Sequence, residues 1–451
     1  MRILMTGATG LVGKELGKEL TQLGHELVVI SRSRQKAKEE LPFAAEIIEH
    51  DLNKGPLSQK LNQIDGVFHL AGENVGDRRW NEKVKTAIRV SRVEATKNLI
   101  ASFQVEPAVF VSSSAIGFYG DRGDEVLSEN SAKGEGFLSD VCADWEKASA
   151  SLSCRRVLLR TGVVLSPVGG ALQKMLFPFR AGVGGALGSG KSWMSWIDVR
   201  DLVSLMIFVL DNKQASGVIN GVSPEPLTNL EFSKILAKSL KRPLGPNVPG
   251  FALKALLGEM STIVLSSQRV LPEQAQKLGF KFRHSNLSDV FQEFFEPYNK
   301  GEEVFYAEQF VPLKPSELFP FFSEAQNLEA ITPDILSFKV EKVSTPQIQQ
   351  GTLIDYTLKI HGVPAKWKTI IDEWQPPYKF VDNQLKGPYK LWHHTHGFKE
   401  VPGGTLMTDR VRYRLPMGIL GWLTAWHFVR KDVSTIFSFR RKVVADKFYR
   451  K

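Results

Sequence analysis

Short apolar runs alternate with stretches of helical apolar spacing through the first half of the chain. Residues 3–5 form one such run, and residues 14–23 then carry apolar side chains about every 3.6 positions. Later segments repeat the short apolar run, with helical segments between them: residues 26–31, 66–70, 108–111 and 156–160. Strands that alternate with helices in this way predict an α/β fold built on a doubly wound parallel sheet.

Beyond residue 301 the pattern changes to pairs of strands, which predicts an α+β domain. The strands are predicted at residues 303–311, 338–343, 352–360, 367–373, 379–385, 391–399 and 405–414. A helical patch at 314–328 follows the first strand, and a long helix closes the chain. We predict two domains, 1–298 and 302–451, joined near Pro297-Tyr298-Asn299-Lys300-Gly301, with a small lobe at about 245–295 in the first.

The first strand runs into a glycine-rich turn, Thr6-Gly7-Ala8-Thr9-Gly10-Leu11-Val12-Gly13. The first glycine permits the tight turn, the second lets a pyrophosphate approach the backbone, and the third lets the helix pack closely on the strand. Phosphates would lie on the free N–H groups at the helix N-terminus, at the positive end of its dipole. We predict that this turn binds a dinucleotide through Gly7, Thr9, Gly10, Leu11, Val12 and Gly13. The alternative is a structural strand-to-helix turn without a ligand.

The end of the second strand indicates which dinucleotide binds. Enzymes that use NAD tend to place an acidic residue there for the ribose 2′-hydroxyl, whereas a basic residue accommodates a 2′-phosphate. This chain has Ser31-Arg32-Ser33-Arg34 and no acid at that point. We therefore predict NADP as the cofactor, with Arg32 at the 2′-phosphate. The alternative is an exposed arginine in a polar loop.

The Gly-x-x-Gly-x-x-Gly spacing within TGATGLVG resembles that of the extended short-chain dehydrogenase/reductase (SDR) family, which includes nucleotide-sugar epimerases. The resemblance covers roughly the first 220 residues and implies a Rossmann fold. It implies that Asp51 and Leu52, after the third strand, lie near the adenine, and that Ala71 and Gly72 form a turn beside the cofactor. Ser114, at the end of the fifth strand, is implied to hydrogen-bond a substrate hydroxyl or carbonyl.

The acid/base pair of that family is missing from this chain. Family members carry Tyr-x-x-x-Lys on the helix after the serine strand, with both side chains on one helix face. They usually carry a glutamate eight residues beyond the tyrosine, and Glu146 matches it. Counting back from Glu146 puts Leu138 at the tyrosine position and Cys142 at the lysine position.

Three further segments narrow the resemblance. They are Ser-Ser-Ser-Ala-Ile-Gly-Phe-Tyr-Gly at 112–120, Cys-Ala-Asp-Trp-Glu at 142–146 and Trp-Ile-Asp-Val-Arg-Asp at 196–201. They look like the atypical SDR branch known as sugar-nucleotide-epimerase-like or "cell division inhibitor"-like. Residues 251–282 resemble the small C-terminal module of the same branch, which implies a contribution to a substrate lobe.

Two side chains near the serine strand are further candidates for chemistry. Tyr119 could replace the missing acid, and the alternative is a tyrosine that packs beside the turn at Gly120. Cys142 could be a reactive thiol, but nothing close to it in sequence would lower its pKa, which favours a buried small hydrophobe. The catalytic residues predicted from the sequence are therefore Ser114 and Tyr119.

The order of elements beyond residue 301 resembles the START-like (SRPBCC, polyketide cyclase/dehydrase) superfamily. The resemblance rests on that order and on three short segments, Phe-Val-Pro-Leu at 310–313, Glu-Trp at 373–374 and Asp-Arg-Val at 409–411. It implies a helix-grip fold whose sheet wraps the last helix and leaves a cavity for an apolar ligand. The alternative is a filled core without a ligand.

Three histidines, His393, His394 and His396, lie close together in one predicted strand. His394 and His396 share a face because side chains alternate along a strand, and His393 faces the other way. With no cysteine or cluster of acidic residues beside them in sequence, we predict no metal site. Cross-strand packing or the lining of a cavity is the favoured interpretation.

The net charge of +10, from 58 basic and 48 acidic residues, restricts the partners only weakly. A dense basic block occurs only at 440–442, so we expect a charged surface that aids solubility and no nucleic-acid partner. The two cysteines indicate a reducing compartment. The first strand follows Met1 directly, so we expect no signal peptide.

The longest apolar stretch, residues 415–429, is shorter than the ~20 residues that a spanning helix needs. We therefore predict a cytoplasmic protein. A helix that lies on a membrane surface through residues 419–428 is the alternative to a core helix.

These patterns leave two classes of function open. The first is an NADP-dependent oxidoreductase or epimerase with a small polar substrate. The second is a non-catalytic protein that senses NADP redox state and reports through its C-terminal domain. The missing Tyr-x-x-x-Lys pair favours the second class, whereas the serine strand and the substrate lobe favour the first. The oligomeric state is left open.

Overall fold

The computed structural model describes residues 1–296, 298, 301–416 and 418–449, with the backbone alone for residues 418–424 and 427. The chain divides into two compact units, the first made of Met1–Arg34 and Ala45–Glu296, and the second of Gln35–Ala44 and Pro297–Lys451. The predicted junction falls largely on Pro297, Asn299 and Lys300, which lie outside the described residues. Gln35–Ala44 groups with the second unit, whereas the sequence pattern placed it in the first domain.

The first unit is built on a parallel sheet. Its strands are β1 (Arg2–Thr6), β2 (Glu26–Ser31), β3 (Glu46–Glu49), β4 (Gly66–His69), β5 (Val109–Ala115), β6 (Val126–Leu127), β7 (Arg155–Thr161), β8 (Val163–Ser166), β9 (Trp193–Met194), β10 (Trp196–Asp198), β11 (Gly217–Gly221), β12 (Leu227–Thr228) and β13 (Arg269–Val270). Within the described residues, seven of them pair in the order β3-β2-β1-β4-β5-β7-β11, all parallel. The strand order reverses between β1 and β4, which is where a doubly wound sheet opens a crevice for a ligand.

Helices accompany the strands of the first unit. They are α1 (Leu11–Gln22), α3 (Glu82–Val90), α4 (Val93–Ala101), α5 (Phe137–Ala148), α6 (Gly170–Arg180), α7 (Val199–Asp211), α8 (Asn229–Ser239), α9 (Gly250–Leu257), α10 (Thr262–Leu265), α11 (Glu273–Lys277) and α12 (Leu287–Phe295). Helix α2 (Arg34–Glu40) lies almost entirely in the segment that groups with the second unit. On one face of the parallel sheet, Leu99 of α4 packs with Leu4, Val67 and Phe110 from the central strands, and all four are completely buried. These apolar strand residues are the short runs that the sequence pattern identified.

The second unit contains an antiparallel sheet and a long helix. Its elements are β14 (Glu303–Val311), α13 (Pro315–Phe322), α14 (Asn327–Ala330), β15 (Lys339–Val343), β16 (Leu353–Ile360), β17 (Val363–Gln375), β18 (Lys379–Lys386), β19 (Leu391–Val401), β20 (Gly404–Arg414) and α15 (Gly418–Phe448). The strands described pair in the order β14-β20-β19-β18-β17-β16-β15. Val433 and Phe437 of α15 pack against Val411 and Tyr413 of β20, so the last helix lies on the sheet.

The predicted strands and helices occur at the expected places, with different ends. β5 continues to Ala115, so Ser112, Ser113 and Ser114 belong to the strand itself instead of following it. β17 is thirteen residues long and begins at Val363, four residues before the predicted start. The predicted helical patch at 314–328 is two short helices, α13 and α14.

The membrane interpretations concern the region around α15. In the described part of the chain, no helix combines the length and the apolar character that crossing a membrane requires. The surface-lying alternative concerned residues 419–428, whose side chains fall mostly outside the described part.

Candidate functional site

The turn between β1 and α1 is shaped by two close backbone approaches. Gly7 has φ of +71°, and a Cβ there would lie 2.7 Å from the carbonyl carbon of Leu70. A Cβ at Gly13 would lie 2.4 Å from the carbonyl oxygen of Gly7. Both positions therefore require glycine, since each close atom belongs to the backbone and cannot move aside as the end of a side chain could. Gly10 precedes α1 as its N-terminal cap, and the first-turn N–H groups of a helix have no partners within it.

A cleft of about 270 Å³ opens above this turn, at the carboxyl ends of β1, β2 and β4. Its lining includes eight of the eleven predicted cofactor residues: Gly7, Thr9, Gly10, Arg32, Asp51, Leu52, Ala71 and Gly72. The other three, Leu11, Val12 and Gly13, form the first turn of α1 directly after Gly10. The turn, the end of the second strand and the third-strand acid therefore meet at one cleft.

The cleft also contains residues that the sequence reasoning missed. These are His50, Asn53, Glu73 and Ser91. The Asp51 carboxylate accepts a hydrogen bond from the Asn53 N–H at 3.1 Å, which shapes the turn after β3. The Ser91 hydroxyl accepts the Glu73 N–H at 2.9 Å, which places the segment after β4. These residues lie in the short segments between strands and helices, and no regular spacing in the sequence identifies them.

His69 is a completely buried support beneath the cleft. Its Nδ1 lies 2.8 Å from the Thr6 hydroxyl and its Nε2 lies 2.9 Å from the Thr96 hydroxyl. Burial lowers the pKa of His69 to about 4, so its imidazole is neutral at pH 7. Because the Thr6 hydroxyl also accepts the Ala71 N–H at 3.2 Å, this chain of bonds positions the turn at Ala71 and Gly72.

Ser114 points into a buried polar network. Its hydroxyl donates to Glu146 Oε1 at 2.7 Å, and the Arg160 guanidinium donates to both oxygens of the same carboxylate at 2.8 Å. Arg160 Nη1 also donates to the Tyr119 hydroxyl at 3.1 Å, which in turn donates to Asn220 Oδ1 at 2.7 Å. The network joins β5, α5, β7 and β11 at the carboxyl end of the sheet.

Both predicted catalytic residues therefore hydrogen-bond to other side chains of the protein. Ser114 is 4% exposed and Tyr119 is wholly buried. The ring of Tyr119 packs against that of Phe118 in an edge-to-face arrangement. Burial raises the pKa of Tyr119 above its ordinary value. Tyr119 lies among apolar residues and outside the lining of the cleft, which favours the packing alternative for this side chain.

On the face of α5 where the family carries its tyrosine and lysine, this chain has Leu138 and Cys142. Leu138 Cβ and Cys142 Sγ lie 3.4 and 3.8 Å from the Cβ position of Gly117, just beyond the serine strand. Cys142 is buried, and burial raises the pKa of its thiol to about 11. The thiol is therefore protonated at pH 7, which agrees with the interpretation as a small buried hydrophobe.

The second unit contains a separate cavity of about 180 Å³. Most of its lining is apolar or aromatic, including Phe338, Leu358, Trp367 and Trp392. One end is polar and is formed by Asp382 of β18, His394 and His396 of β19 and Arg440 of α15. Asp409 of β20 lies behind them, and we call these five side chains the His–Asp cluster.

The histidines of the His–Asp cluster have acidic neighbours, which the sequence around them did not indicate. His394 and His396 share the inner face of β19 as predicted, and both are buried. Strand pairing places Asp382 opposite His394 and Asp409 opposite His396, so each histidine has a carboxylate beside it. Burial lowers the pKa of His394 to about 4. Burial alone would raise the pKa of Asp409, but Arg440 and the two imidazole groups hold it well below its usual range.

The sheet order and the glycine turn define the first unit as a dinucleotide-binding Rossmann protein of the SDR type. The chain belongs to the NAD dependent epimerase/dehydratase family, whose model matches residues 3–220. A second model, a domain of unknown function (DUF1731), matches residues 248–294, the segment predicted as a small lobe. Both matches lie within the first unit, and the START-like resemblance of the second stays a prediction.

Relatives of known sequence and structure agree with this assignment. The chloroplastic SDR39U1 homolog of Arabidopsis thaliana, an epimerase family protein, is 39% identical over 303 residues, which are 64% of this chain and 85% of the relative. The epimerase family protein Mb2239 of Mycobacterium bovis is 35% identical over 293 residues, 64% of this chain and 95% of the relative. The crystal structure of human epimerase family protein SDR39U1 with NADPH superposes with a TM-score of 0.59 at 31% identity, over 66% of this chain and 99% of that one. The family is described as NAD dependent and this human relative is solved with NADPH, so both agree with the prediction of a nicotinamide dinucleotide.

Proposed function

We propose that the first unit binds NADPH and that the protein is an NADPH-dependent oxidoreductase or epimerase of the atypical SDR type. One observation carries the proposal: Arg32 and the β1–α1 turn line the same cleft. The turn offers backbone N–H groups to the pyrophosphate, and Arg32 offers a guanidinium at the end of β2, where the 2′-phosphate of NADPH would lie. NADPH in the human relative supports the choice of cofactor.

The proposed role of Arg32 has a direct test. A charge-assisted hydrogen bond to phosphate is worth about 1.5–3 kcal/mol, so Arg32→Ala should weaken NADPH binding roughly 10- to 150-fold. NADH binding should change little, because NADH lacks the 2′-phosphate. The matched control is Arg34→Ala, which removes a basic side chain two residues away and outside the cleft lining. Equal affinity for NADH and NADPH in the wild-type protein would contradict the assignment.

The proposed chemistry assigns Ser114 a role as acceptor. Because its hydroxyl proton is donated to Glu146, the oxygen would offer its lone pairs to a substrate hydroxyl. Such a bond would hold an alcohol substrate, or a hydroxyl group beside the carbonyl of a sugar substrate, near the nicotinamide. Tyr119 is proposed only as an indirect contributor, through Arg160 and Glu146.

A second candidate function is an NADPH-binding sensor without catalysis. The observation that favours it is the helix face of α5, where Leu138 and a protonated Cys142 thiol replace the tyrosine and lysine. The two functions differ in whether NADPH is consumed when a library of carbonyl compounds is added. Consumption that Ser114→Ala abolishes, with NADPH affinity unchanged, supports the enzyme. Consumption that survives both Ser114→Ala and Tyr119→Phe contradicts the site assignment, and no consumption with any substrate supports the sensor.

We further propose that the second unit is a START-like domain that binds an apolar ligand. The antiparallel sheet, the long helix α15 and the cavity lined by aromatic side chains support this. Native mass spectrometry of the purified protein tests the proposal, since a retained lipid-like or aromatic molecule would add mass. A Leu358→Trp variant, which fills part of the cavity, should lose that ligand. Retention of the same mass by this variant would contradict the cavity as the site.

A further inference from the structure

Three side chains of the His–Asp cluster present metal-ligand atoms to one point. Asp382 Oδ2 lies 3.5 Å from His394 Nδ1 and 2.9 Å from His396 Nε2, and the three atoms all lie within 4.8 Å of one another. Ligand atoms about 2.0–2.2 Å from one tetrahedral ion are separated by roughly 3.3 Å. Only small side-chain movements would therefore bring these three atoms onto a common ion.

A single carboxylate orients both imidazole rings for this task. Asp409 Oδ1 lies 3.0 Å from His394 Nε2 and 3.1 Å from His396 Nδ1, the ring nitrogens that are remote from Asp382. In the tautomers that donate these two N–H groups to Asp409, the lone pairs of His394 Nδ1 and His396 Nε2 lie on the side of Asp382. Histidine ligands of metals are commonly oriented by such a carboxylate.

The guanidinium of Arg440 lies against Asp409, the carboxylate that orients the rings. Its Nη1 lies 3.1 Å from Asp409 Oδ1. The Asp382 side chain, 16% exposed, instead faces His394 and His396. A partly buried carboxylate beside two imidazole nitrogens is a favourable partner for a cation.

The metal-free state has its own hydrogen-bond arrangement. His396 can instead donate Nε2–H to Asp382 and accept from Arg440 Nη2 at 3.2 Å on Nδ1. Metal binding would move that proton from Nε2 to Nδ1, where Asp409 accepts it, with no net change in protonation. His394 Nδ1 and Asp382 Oδ2, by contrast, are two acceptors that face each other at 3.5 Å in this arrangement.

We propose that Asp382, His394 and His396 bind a divalent transition-metal ion, with Asp409 as the carboxylate that orients both histidines. Two imidazoles and one carboxylate suit Zn²⁺, Fe²⁺ and related ions better than Mg²⁺ or Ca²⁺. Three protein ligands leave a coordination position, and the cavity borders all three residues. The open position therefore suits a ligand with an oxygen or nitrogen head group and an apolar body. That last consequence rests on the proposed ligand-binding function, whereas metal binding itself does not.

The test uses the untagged full-length protein. After equilibration with buffered Zn²⁺ and gel filtration, elemental analysis should find one zinc per chain, and Co²⁺ should give the visible absorption of a four- or five-coordinate site that Zn²⁺ displaces. His394→Gln and Asp382→Asn should each abolish this stoichiometric binding. Asp409→Asn, which keeps all three ligands, should weaken affinity about 10- to 100-fold.

His393→Gln is the matched control, because His393 lies on the same strand with its side chain on the opposite face. It should bind zinc as the wild type does. The proposal is overturned if the wild-type protein retains no stoichiometric zinc or cobalt, or if His394→Gln binds as tightly as the control. The wild-type measurement decides the question even if a ligand variant fails to fold. NADPH titration of the same samples keeps this outcome separate from that of the cofactor proposal.

Discussion

Removal of Arg160 tests how far the polar network behind Ser114 stabilises the first unit. Arg160 is 4% exposed and the Glu146 side chain 10%, so the carboxylate would lose its bidentate partner in a site that water scarcely reaches. Breaking a buried ion pair by removing one member typically costs about 3–5 kcal/mol. Arg160→Met approximates the length of the aliphatic part of the arginine side chain, which confines the change mainly to the charge.

The contacts of Arg160 place the expected cost in that range. Its guanidinium makes two 2.8 Å bonds to Glu146 and one 3.1 Å bond to Tyr119, and its Cζ lies 3.3 Å from the centroid of the Phe118 ring. We expect Arg160→Met to reduce the free energy of unfolding of the first unit by about 3–5 kcal/mol. The double variant with Glu146→Leu removes both charges, so it should lose less than the sum of the two single variants.

Urea denaturation of the full-length protein measures these differences, with NADPH titration of each folded variant beside it. Arg122→Met is a suitable control, because its ion pair with Glu125 lies at a more exposed position. A cost below about 1 kcal/mol for Arg160→Met, or strict additivity in the double variant, would refute the view that the pair stabilises the fold as a buried unit.

Two further predictions concern the floor of the cofactor cleft. His69 is protonated below about pH 6.5 in the unfolded chain but only below about pH 4 in the folded protein. As the pH falls through this window, the free energy of unfolding should therefore decrease by about 1.4 kcal/mol per pH unit. Urea unfolding at pH 7 and pH 5 should show a smaller difference in stability for His69→Gln than for the wild type. An unchanged difference in His69→Gln would contradict a buried, neutral His69. Gly13→Ala forces a Cβ to within 2.4 Å of the Gly7 carbonyl oxygen, so calorimetry should show at least tenfold weaker NADPH binding, with a stability cost of about 1–3 kcal/mol. Gly76→Ala, whose Cβ would lie 3.7 Å from its nearest neighbour, is the control, and equal NADPH affinity in both variants would contradict the close-packed turn.

The cleft that we propose as the cofactor site was predictable from sequence because it is built from local features. The turn from Gly7 to Gly13 is one continuous segment, and a strand followed by a glycine turn and a helix has one favourable geometry. Arg32 was identifiable because the second strand ends immediately before it. The support from His69 and Thr96 was not identifiable, since those residues are joined only by the stacking of α4 on the sheet.

The hydrogen-bond network of Ser114 and the His–Asp cluster depend instead on contacts between residues that are far apart in the sequence. The bond from Ser114 to Glu146 spans 32 residues, and that from Tyr119 to Asn220 spans 101. No local pattern relates such positions, so the engagement of both predicted catalytic side chains emerged only from the parallel pairing of β5, β7 and β11.

By itself, the sequence predicted the parallel and the antiparallel architecture from its apolar runs, and the cofactor cleft that we propose from its glycine turn and Arg32. These features depend on periodicity and on residues adjacent in sequence. Tertiary structure decided which side chains are buried together: it placed Tyr119 in the core, and it placed Asp382 and Asp409 beside His394 and His396. The physical reason is that strand register and helix packing set the protonation and the charge balance of a buried group, and both join residues far apart along the chain.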